Sequence, residues 1–124
     1  MKLTVLTKST KPIYEQIFEQ ISGDILNGNL QSDECLPSIR FIAKELGIGI
    51  ITVKKAYELL ENGGFIYTLA GKGCFVKPLS GERLAQKKLR LAEAKLREEL
   101  PYYRSLGLNE EELVSLIKKL YDFD

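Results

Sequence analysis

The sequence predicts a mainly α-helical fold with one small β-hairpin, followed by a two-helix tail. Apolar residues recur at helical spacing in five segments, and glycine-containing turns separate most of them. Between the third and fourth segments, residues 65–77 are rich in aromatic and branched side chains and are divided by a glycine turn. We therefore expect a compact domain over residues 1–78 and a helical tail over residues 79–124.

The composition is that of an ordinary globular protein and makes several classes of protein improbable. The chain has 124 residues and a net charge of +1, so a nucleic-acid partner must meet a local basic face. It has no histidine and two distant cysteines, Cys35 and Cys74, so we expect no metal, no cofactor and no enzyme activity. No apolar run spans a membrane and the first residues do not resemble a signal peptide, so we expect a cytoplasmic protein without a membrane partner.

The first helix is predicted to begin at Pro12, because proline suits the first turn, where its missing N–H has no partner. Gly28 is expected to supply the left-handed residue that ends it. One apolar face recurs every fourth residue, at Ile13, Ile17, Ile21 and Ile25.

Two further helices follow a polar link at residues 31–34. The first is expected to begin at Ser38, which follows Pro37 and suits the N-cap position, and to end at Gly47. The second is expected to run from about Ile50 to Glu61. Its inward positions are Val53, Ala56, Tyr57 and Leu60. Two helices of this size joined by a short glycine-containing turn are typical of a helix-turn-helix.

Residues 65–69 and 74–77 are predicted strands joined by a turn, which places a β-hairpin directly after the second of these helices. This order is that of a winged helix-turn-helix, in which the hairpin is the wing. The first part of the second helix in this motif enters the major groove of double-stranded DNA. The residues at that position are Ile50, Ile51, Thr52, Lys54 and Lys55. We expect at least one of the two lysines to contact a DNA phosphate; the alternative is that both are ordinary solvated side chains.

The tail is predicted to begin with a hinge at residues 79–81 and a long helix from residue 82 that Pro101 ends or kinks. Asn109, with Glu112 three residues later, predicts a capped final helix. Two isolated helices cannot hide their apolar stripes, so we expect a homodimer that presents two recognition helices to a pseudo-palindromic site. The expected dimerisation residues are Leu89, Leu96, Leu100, Leu113, Leu116, Ile117 and Leu120.

Four blocks of the sequence resemble the GntR family of bacterial regulators, in order and in spacing. They are Pro12-Ile13-Tyr14-Glu15-Gln16-Ile17, Leu36-Pro37-Ser38-Ile39-Arg40, the stretch from Thr52 to Glu61, and Gly71-Lys72-Gly73-Cys74-Phe75-Val76. The short tail is similar to that of the YtrA subfamily. The resemblance implies a DNA-binding repressor whose tail dimerises and whose gene adjoins a transporter operon.

The resemblance also implies that Arg40 contacts DNA and that the wing tip reaches the minor groove or its backbone. Pro37 and Ser38 are expected to fix the start of the Arg40 helix, whose N-terminal amides can meet a phosphate. The purely structural alternatives are that Ser38 serves only as an N-cap and that the wing tip is an ordinary tight turn. The full set of expected DNA-binding residues is Pro37, Ser38, Arg40, Ile51, Thr52, Lys54, Lys55, Gly71, Lys72 and Gly73.

Some positions depart from the family pattern. Ile50 and Ile51 stand where polar groups are common, Leu69 and Ala70 replace wing arginines, and Cys74 replaces a threonine. Isoleucine can touch a thymine methyl group but cannot make the bidentate contact that distinguishes guanine. Two alternatives stay open: the isoleucines face DNA, with readout that is weak or rests on DNA shape, or they pack in the core and the contacts begin at Thr52.

Other functions also stay open. A winged helix can act as a protein-interaction module, which the near-neutral charge and missing wing arginines favour slightly; salt-dependent DNA binding distinguishes the two. The chain could also be a fragment of an enzyme-fused relative, but its capped final helix leads us to expect that it is complete. The basic cluster Arg83, Lys87, Lys88 and Arg90 is interpreted as a solvated face, with a position near DNA as the alternative. The sequence does not identify a small-molecule effector.

Overall fold

The computed structural model describes residues 1–123 and confirms the mainly helical fold with one hairpin. The elements are α1 (Ile13–Leu26), α2 (Ile39–Leu46), α3 (Ile50–Asn62), β1 (Ile66–Leu69), β2 (Gly73–Val76), α4 (Gly81–Ser105) and α5 (Glu110–Tyr121). They group into two compact units, Met1–Leu84 and a second from Ala85 onward, which are described separately. The predicted domain boundary after residue 78 stays a prediction.

The core of the first unit forms where α1 packs against α3. The predicted apolar faces of both helices are buried there. The buried residues are Ile17, Ile21 and Ile25 of α1, and Val53, Ala56, Tyr57 and Leu60 of α3. Val76 of the hairpin is also buried, and the ring of Phe65 meets that of Phe18 edge-on at 5.8 Å between centroids. The hairpin therefore contributes to the same core as the helices.

Two glutamines of α1 hold the N-terminal segment, a feature that the sequence pattern did not indicate. Gln16 Oε1 accepts from the Leu6 N–H at 2.8 Å, and its Nε2 donates to the Leu6 carbonyl at 3.0 Å. Gln20 pairs in the same way with the N–H and carbonyl of Thr4. The two pairs match in spacing. Thr4 and Leu6 are two residues apart in an extended segment, Gln16 and Gln20 are four residues apart in a helix, and both separations are about 6 to 7 Å.

The hairpin is antiparallel, with Ile66 opposite Val76 and Leu69 opposite Gly73. β1 begins at residue 66, one residue later than predicted, and β2 covers residues 73–76, one residue earlier than predicted at both ends. The difference arises because the hydrogen-bonded register, rather than the run of aromatic and branched side chains, decides where the pairing ends.

The polar link before α2 pairs along β2, which the sequence pattern also did not indicate. The Leu36 N–H donates to the Cys74 carbonyl at 2.8 Å, and the Val76 N–H donates to the Glu34 carbonyl at 2.9 Å. These bonds cover the side of β2 that β1 leaves open and satisfy its backbone groups. The link therefore ties the wing to the start of α2.

The predicted hinge at residues 79–81 is wrong at its last residue, because α4 begins at Gly81. Ser80 precedes the helix, and its Oγ accepts from the Arg83 N–H at 3.3 Å. A serine that accepts from the first turn stabilises a helix start, so the chain is helical one residue earlier than its glycine suggested.

The second unit contains most of α4 and all of α5. The helix α4 does not end at Pro101, as one of the two predicted outcomes had it, but continues to Ser105. Proline removes a single hydrogen bond donor, so the turns on either side can continue the helix. The predicted capping box of α5 is confirmed, because Asn109 Oδ1 accepts from the Glu112 N–H at 2.9 Å and Glu112 Oε1 accepts from the Asn109 N–H at 3.1 Å.

Neither α4 nor α5 has a buried residue. Four of the predicted dimerisation residues, together with Val114, line an apolar groove of about 440 Å³ between the two helices. They are Leu96, Leu100, Leu113 and Ile117. Within residues 1–123, no helix is both long and apolar enough to cross a lipid bilayer.

Candidate nucleic-acid interface

Hydrogen bonds on either side of the Pro37–Ser38 peptide fix the start of α2. Ser38 is the N-cap, as predicted, because its Oγ accepts from the Phe41 N–H at 3.1 Å. The Tyr57 hydroxyl of α3 donates to the Pro37 carbonyl at 2.7 Å. The first turn of α2 is therefore attached to the core, and it carries the exposed side chain of Arg40.

Tyr57 is a positioning residue that the sequence pattern identified only as inward-facing. Burial raises the pKa of its hydroxyl well above the usual range, and the neighbouring thiols of Cys74 and Cys35 add to the rise. The phenol therefore stays protonated and keeps its role as a donor. A tyrosine among aliphatic inward positions is the signal in the sequence that could have indicated such a bond, since a buried hydroxyl needs a partner.

The turn between α2 and α3 depends on Gly47, which ends α2 with a φ of 67°. Glycine adopts this left-handed conformation without the strain that a Cβ causes. The helix α3 begins three residues later at Ile50, and it packs against α2. The chain thus forms the predicted helix-turn-helix.

The first turn of α3 presents an apolar tip to solvent. At about 100° per residue, Ile51 points about 170° away from the centre of the buried face of α3. Its side chain is 82% exposed, and that of Ile50 is 45% exposed. The alternative in which both isoleucines pack in the core is therefore wrong, and both are open to a partner.

The two adjacent lysines of α3 have different partners. The Lys55 ammonium lies 3.9 Å from the centroid of the Tyr14 ring in α1, a cation–π contact. The Lys54 ammonium lies 4.0 Å from a Glu58 carboxylate oxygen, an exposed ion pair that is weak in water. Thr52, beside them, is half-buried.

The wing tip is a turn that requires glycine. Gly71 has a φ of 76° and Gly73 a φ of 116°, conformations that residues with a Cβ rarely adopt. The Lys72 N–H donates to the Leu69 carbonyl at 2.9 Å and closes the turn. The side chain of Lys72 is exposed at the tip between the two glycines.

All the predicted DNA-binding residues lie in the first unit, in three places: the start of α2, the start of α3 and the wing tip. The bond from Tyr57 to the Pro37 carbonyl joins the first two places. The pairing of Leu36 with Cys74 joins the first and the third. In the basic cluster, Arg83, Lys88 and Arg90 are exposed.

The predicted dimerisation residues lie in the second unit. Leu100 and Leu113 are half-buried. The others are exposed: Leu89, Leu96, Leu116, Ile117 and Leu120.

A comparison with protein families identifies the family. The model described as "Bacterial regulatory proteins, gntR family" matches residues 13–76, more than half of the chain. The chain belongs to the GntR family. The match covers the three helices of the first unit and the wing, and so includes every predicted DNA-binding residue.

Relatives of this GntR protein are transcriptional regulators. It is 32% identical over 113 residues to the transcriptional repressor YtrA of Bacillus subtilis (strain 168), covering 91% of this chain and 87% of YtrA. It is 42% identical over 84 residues to the repressor NagR of the same organism, covering 68% of this chain. That match spans only 35% of NagR, about a third of its length. The predicted likeness to YtrA-type GntR regulators is confirmed.

Solved structures share the fold of this GntR protein. The crystal structure of a transcriptional antiterminator from Listeria monocytogenes EGD-e, 37% identical, has a TM-score of 0.78 over 98% of this chain and 90% of that one. The DNA-binding domain of AraR in complex with operator ORX1, 30% identical, has a TM-score of 0.55 over 61% of this chain and 98% of that domain.

Proposed function

We propose that this GntR-family chain is a dimeric transcriptional repressor that binds a pseudo-palindromic operator in double-stranded DNA. The observation that carries the proposal is the exposed first half of α3, on a helix whose other side forms the core. This part of the second helix of a helix-turn-helix enters the major groove. The AraR domain, which has the same fold, binds operator DNA in its crystal structure and supports the assignment.

Phosphate contacts are assigned to three exposed cations in the three places of the interface. They are Arg40 at the start of α2, Lys54 at the start of α3 and Lys72 at the wing tip. Cations that neutralise phosphates supply most of the affinity of DNA-binding proteins and set their orientation. Because the net charge is only +1, this local set rather than an overall field must attract DNA.

The remaining site residues are assigned to shape and positioning. Pro37 and Ser38 fix the first turn of α2, and Gly71 and Gly73 let the wing backbone approach the duplex closely. The hydroxyl of Thr52 lies near the apolar tip and is assigned to a phosphate or a base edge. Lys55 is held on the Tyr14 ring, which supports that corner of α3 against α1.

Dimerisation is proposed through α4 and α5. Their apolar side chains are exposed in a single chain, as Leu89 shows with 71% of its surface exposed. Exposed apolar surface costs about 25 cal/mol for every Å² that a partner could cover, and large apolar patches mark interaction sites. A second copy is the partner that also presents two recognition helices to a two-fold site.

Repression and the regulated genes are inferred from the likeness to YtrA. That relative is a transcriptional repressor and matches over nearly its whole length. The likeness to its subfamily favours a transporter-type operon as the target. Because the proposed ligand is chromosomal DNA, we expect the chain to act in the cytoplasm.

Footprinting on the DNA upstream of the chain's own gene tests the proposal. We expect protection of an inverted repeat whose half-sites lie about one or two helical turns apart. Binding to that site should weaken steeply with salt, with a slope of log K against log salt of about −0.9 for each phosphate neutralised. A protected site without two-fold symmetry would contradict the dimer, and absence of protection together with absence of binding to any duplex at low salt would contradict the DNA-binding function.

A second candidate function is supported by the apolar character of the same surface. Phe41, Ile50 and Leu69 are exposed in the first unit, and exposed apolar groups are typical of protein-interaction surfaces. A winged helix that binds a protein through this surface would bind no duplex. The absence of binding to any DNA at low salt would therefore favour this second function over the first.

A further inference from the structure

We infer that Ile51 is a specificity-determining residue that recognises the C5 methyl group of thymine in the major groove. The inference rests on the proposed DNA-binding function, and it specifies which group of a base is contacted by this side chain. It starts from an apolar side chain that is 82% exposed at the outward tip of α3.

The position of Ile51 leaves it no structural role within the chain. It points away from the buried face of α3, whose members are Val53, Ala56, Tyr57 and Leu60. Isoleucine also ranks below the best helix formers, such as alanine and leucine, so helix formation gives no particular reason for it at an exposed site. Neither core packing nor helix formation therefore explains an isoleucine here, whereas contact with a partner does.

The polar side chains near the tip are assigned mainly to phosphates or to contacts within the chain. The Lys55 ammonium lies on the Tyr14 ring, and Lys54 is beside Glu58. Thr52 is half-buried. The first turn of α3 thus lacks an arginine or amide that could form a bidentate contact with guanine or adenine. The most outward group that a base edge can meet is the aliphatic side chain of Ile51.

The major-groove edge of DNA offers one apolar group, the C5 methyl of thymine, and cytosine lacks it. Moving this methyl group from water into contact with an aliphatic side chain increases the affinity for the duplex about fourfold, which corresponds to the transfer free energy of one carbon. A dimer makes this contact in both half-sites, so the combined effect is about 15-fold. Such a contact distinguishes thymine from cytosine without any hydrogen bond.

The test begins with duplexes selected from a randomised 30-base-pair library by the full-length protein at low salt. The selected duplexes are then resynthesised with deoxyuridine in place of thymine, one position at a time, which removes only the methyl group. We expect one thymine in each half-site whose replacement weakens binding about fourfold. Measuring the same series with Ile51→Ala completes a double-mutant cycle, because uracil also alters base stacking.

The variant Ile51→Ala is suited to this cycle because its site is exposed and alanine favours helix. Leu59→Ala is the matched control, since Leu59 is also an exposed apolar residue of α3 but lies two turns further along. We expect the control to keep the full sensitivity to uracil, and Ile51→Ala to lose it at the two symmetric positions.

The outcomes separate the inference from the proposed function. Duplexes that bind the wild-type chain equally with thymine and uracil at every position would overturn the role of Ile51 while leaving DNA binding intact. An equal loss in wild type and Ile51→Ala would overturn it too, because another group would then contact the methyl. Failure to select any duplex would reject the proposed DNA binding itself.

Discussion

The two units of this chain are both built from amphipathic helices, yet only one of them has a core. All the buried apolar side chains found within residues 1–123 lie in the first unit, where α1, α3 and the hairpin cover one another. The second unit has only two helices, and they bury none of their residues. Two helices cover each other's apolar stripe on one side only, so they do not enclose apolar side chains by themselves.

Only the first unit therefore forms a core within a single chain. The first unit buries a core of its own and leaves a few apolar side chains such as Ile51 exposed. The second buries none of its apolar side chains, which we propose pack against a second copy. Changes in the first unit should therefore act on unfolding or on DNA contacts within one chain. Changes in the second should act on dimerisation and affect DNA only through it.

The largest effect is expected from Ile117→Glu, which places a charge in the apolar groove of the second unit. Burying that charge in a dimer interface is costly, so the chain should become monomeric at micromolar concentration. Loss of the second recognition helix should weaken operator binding by about 100-fold or more. Light scattering and a gel-shift assay measure the two effects. Ser115→Glu is the control variant, because it adds the same charge on the other side of α5. A dimer that survives Ile117→Glu would disprove the interface.

Arg40→Ala should come next, because it removes an exposed cation from the first turn of α2 without touching the core. We expect operator affinity to fall by about tenfold or more, with an unchanged melting temperature and an unchanged dimer mass. Titration of labelled operator, together with thermal unfolding, provides the check. Undiminished affinity would remove Arg40 from the interface.

The two side-chain caps allow the units to be compared directly. Ser38→Ala should lower the free energy of unfolding of the first unit by about 1 kcal/mol. Asn109→Ala removes a cap of similar strength, but since α5 has no core of its own, the loss should appear as weaker dimerisation. Urea unfolding and sedimentation at several concentrations distinguish these results. Identical behaviour of both variants would mean that the units fold as one.

The smallest effect is expected from Lys72→Ala at the wing tip. Its exposed ammonium is assigned to a phosphate, so affinity should fall only a few-fold and by the same factor on different operator sequences. The salt slope should become shallower by about 0.9 per subunit. Binding isotherms at several salt concentrations give both values. A loss that depends on sequence would instead indicate a base contact in the minor groove.

Much of the site followed from local patterns. The proline before Ser38, the inward residues of α3 and the glycines around Lys72 each predicted the structure found there. What the patterns did not indicate depends on distant partners. Residues 31–34 look like a polar link, but its second half and Leu36 pair with β2, some 40 residues away. Lys54 and Lys55 look equivalent in the sequence, but in the structure the Lys55 ammonium lies on the Tyr14 ring of α1.

The order of helices and strands, the caps at Ser38 and Asn109 and the likeness to the GntR family could all be predicted from the amino-acid sequence. These features depend on neighbours within a few residues, or on motifs written in the chain. Three features become visible in the folded chain: Ile51 faces outward, the Tyr57 hydroxyl bonds the start of α2, and α4 and α5 have no buried residue. The physical reason is that burial depends on every element packed around a residue, and periodicity specifies a face without specifying what covers it.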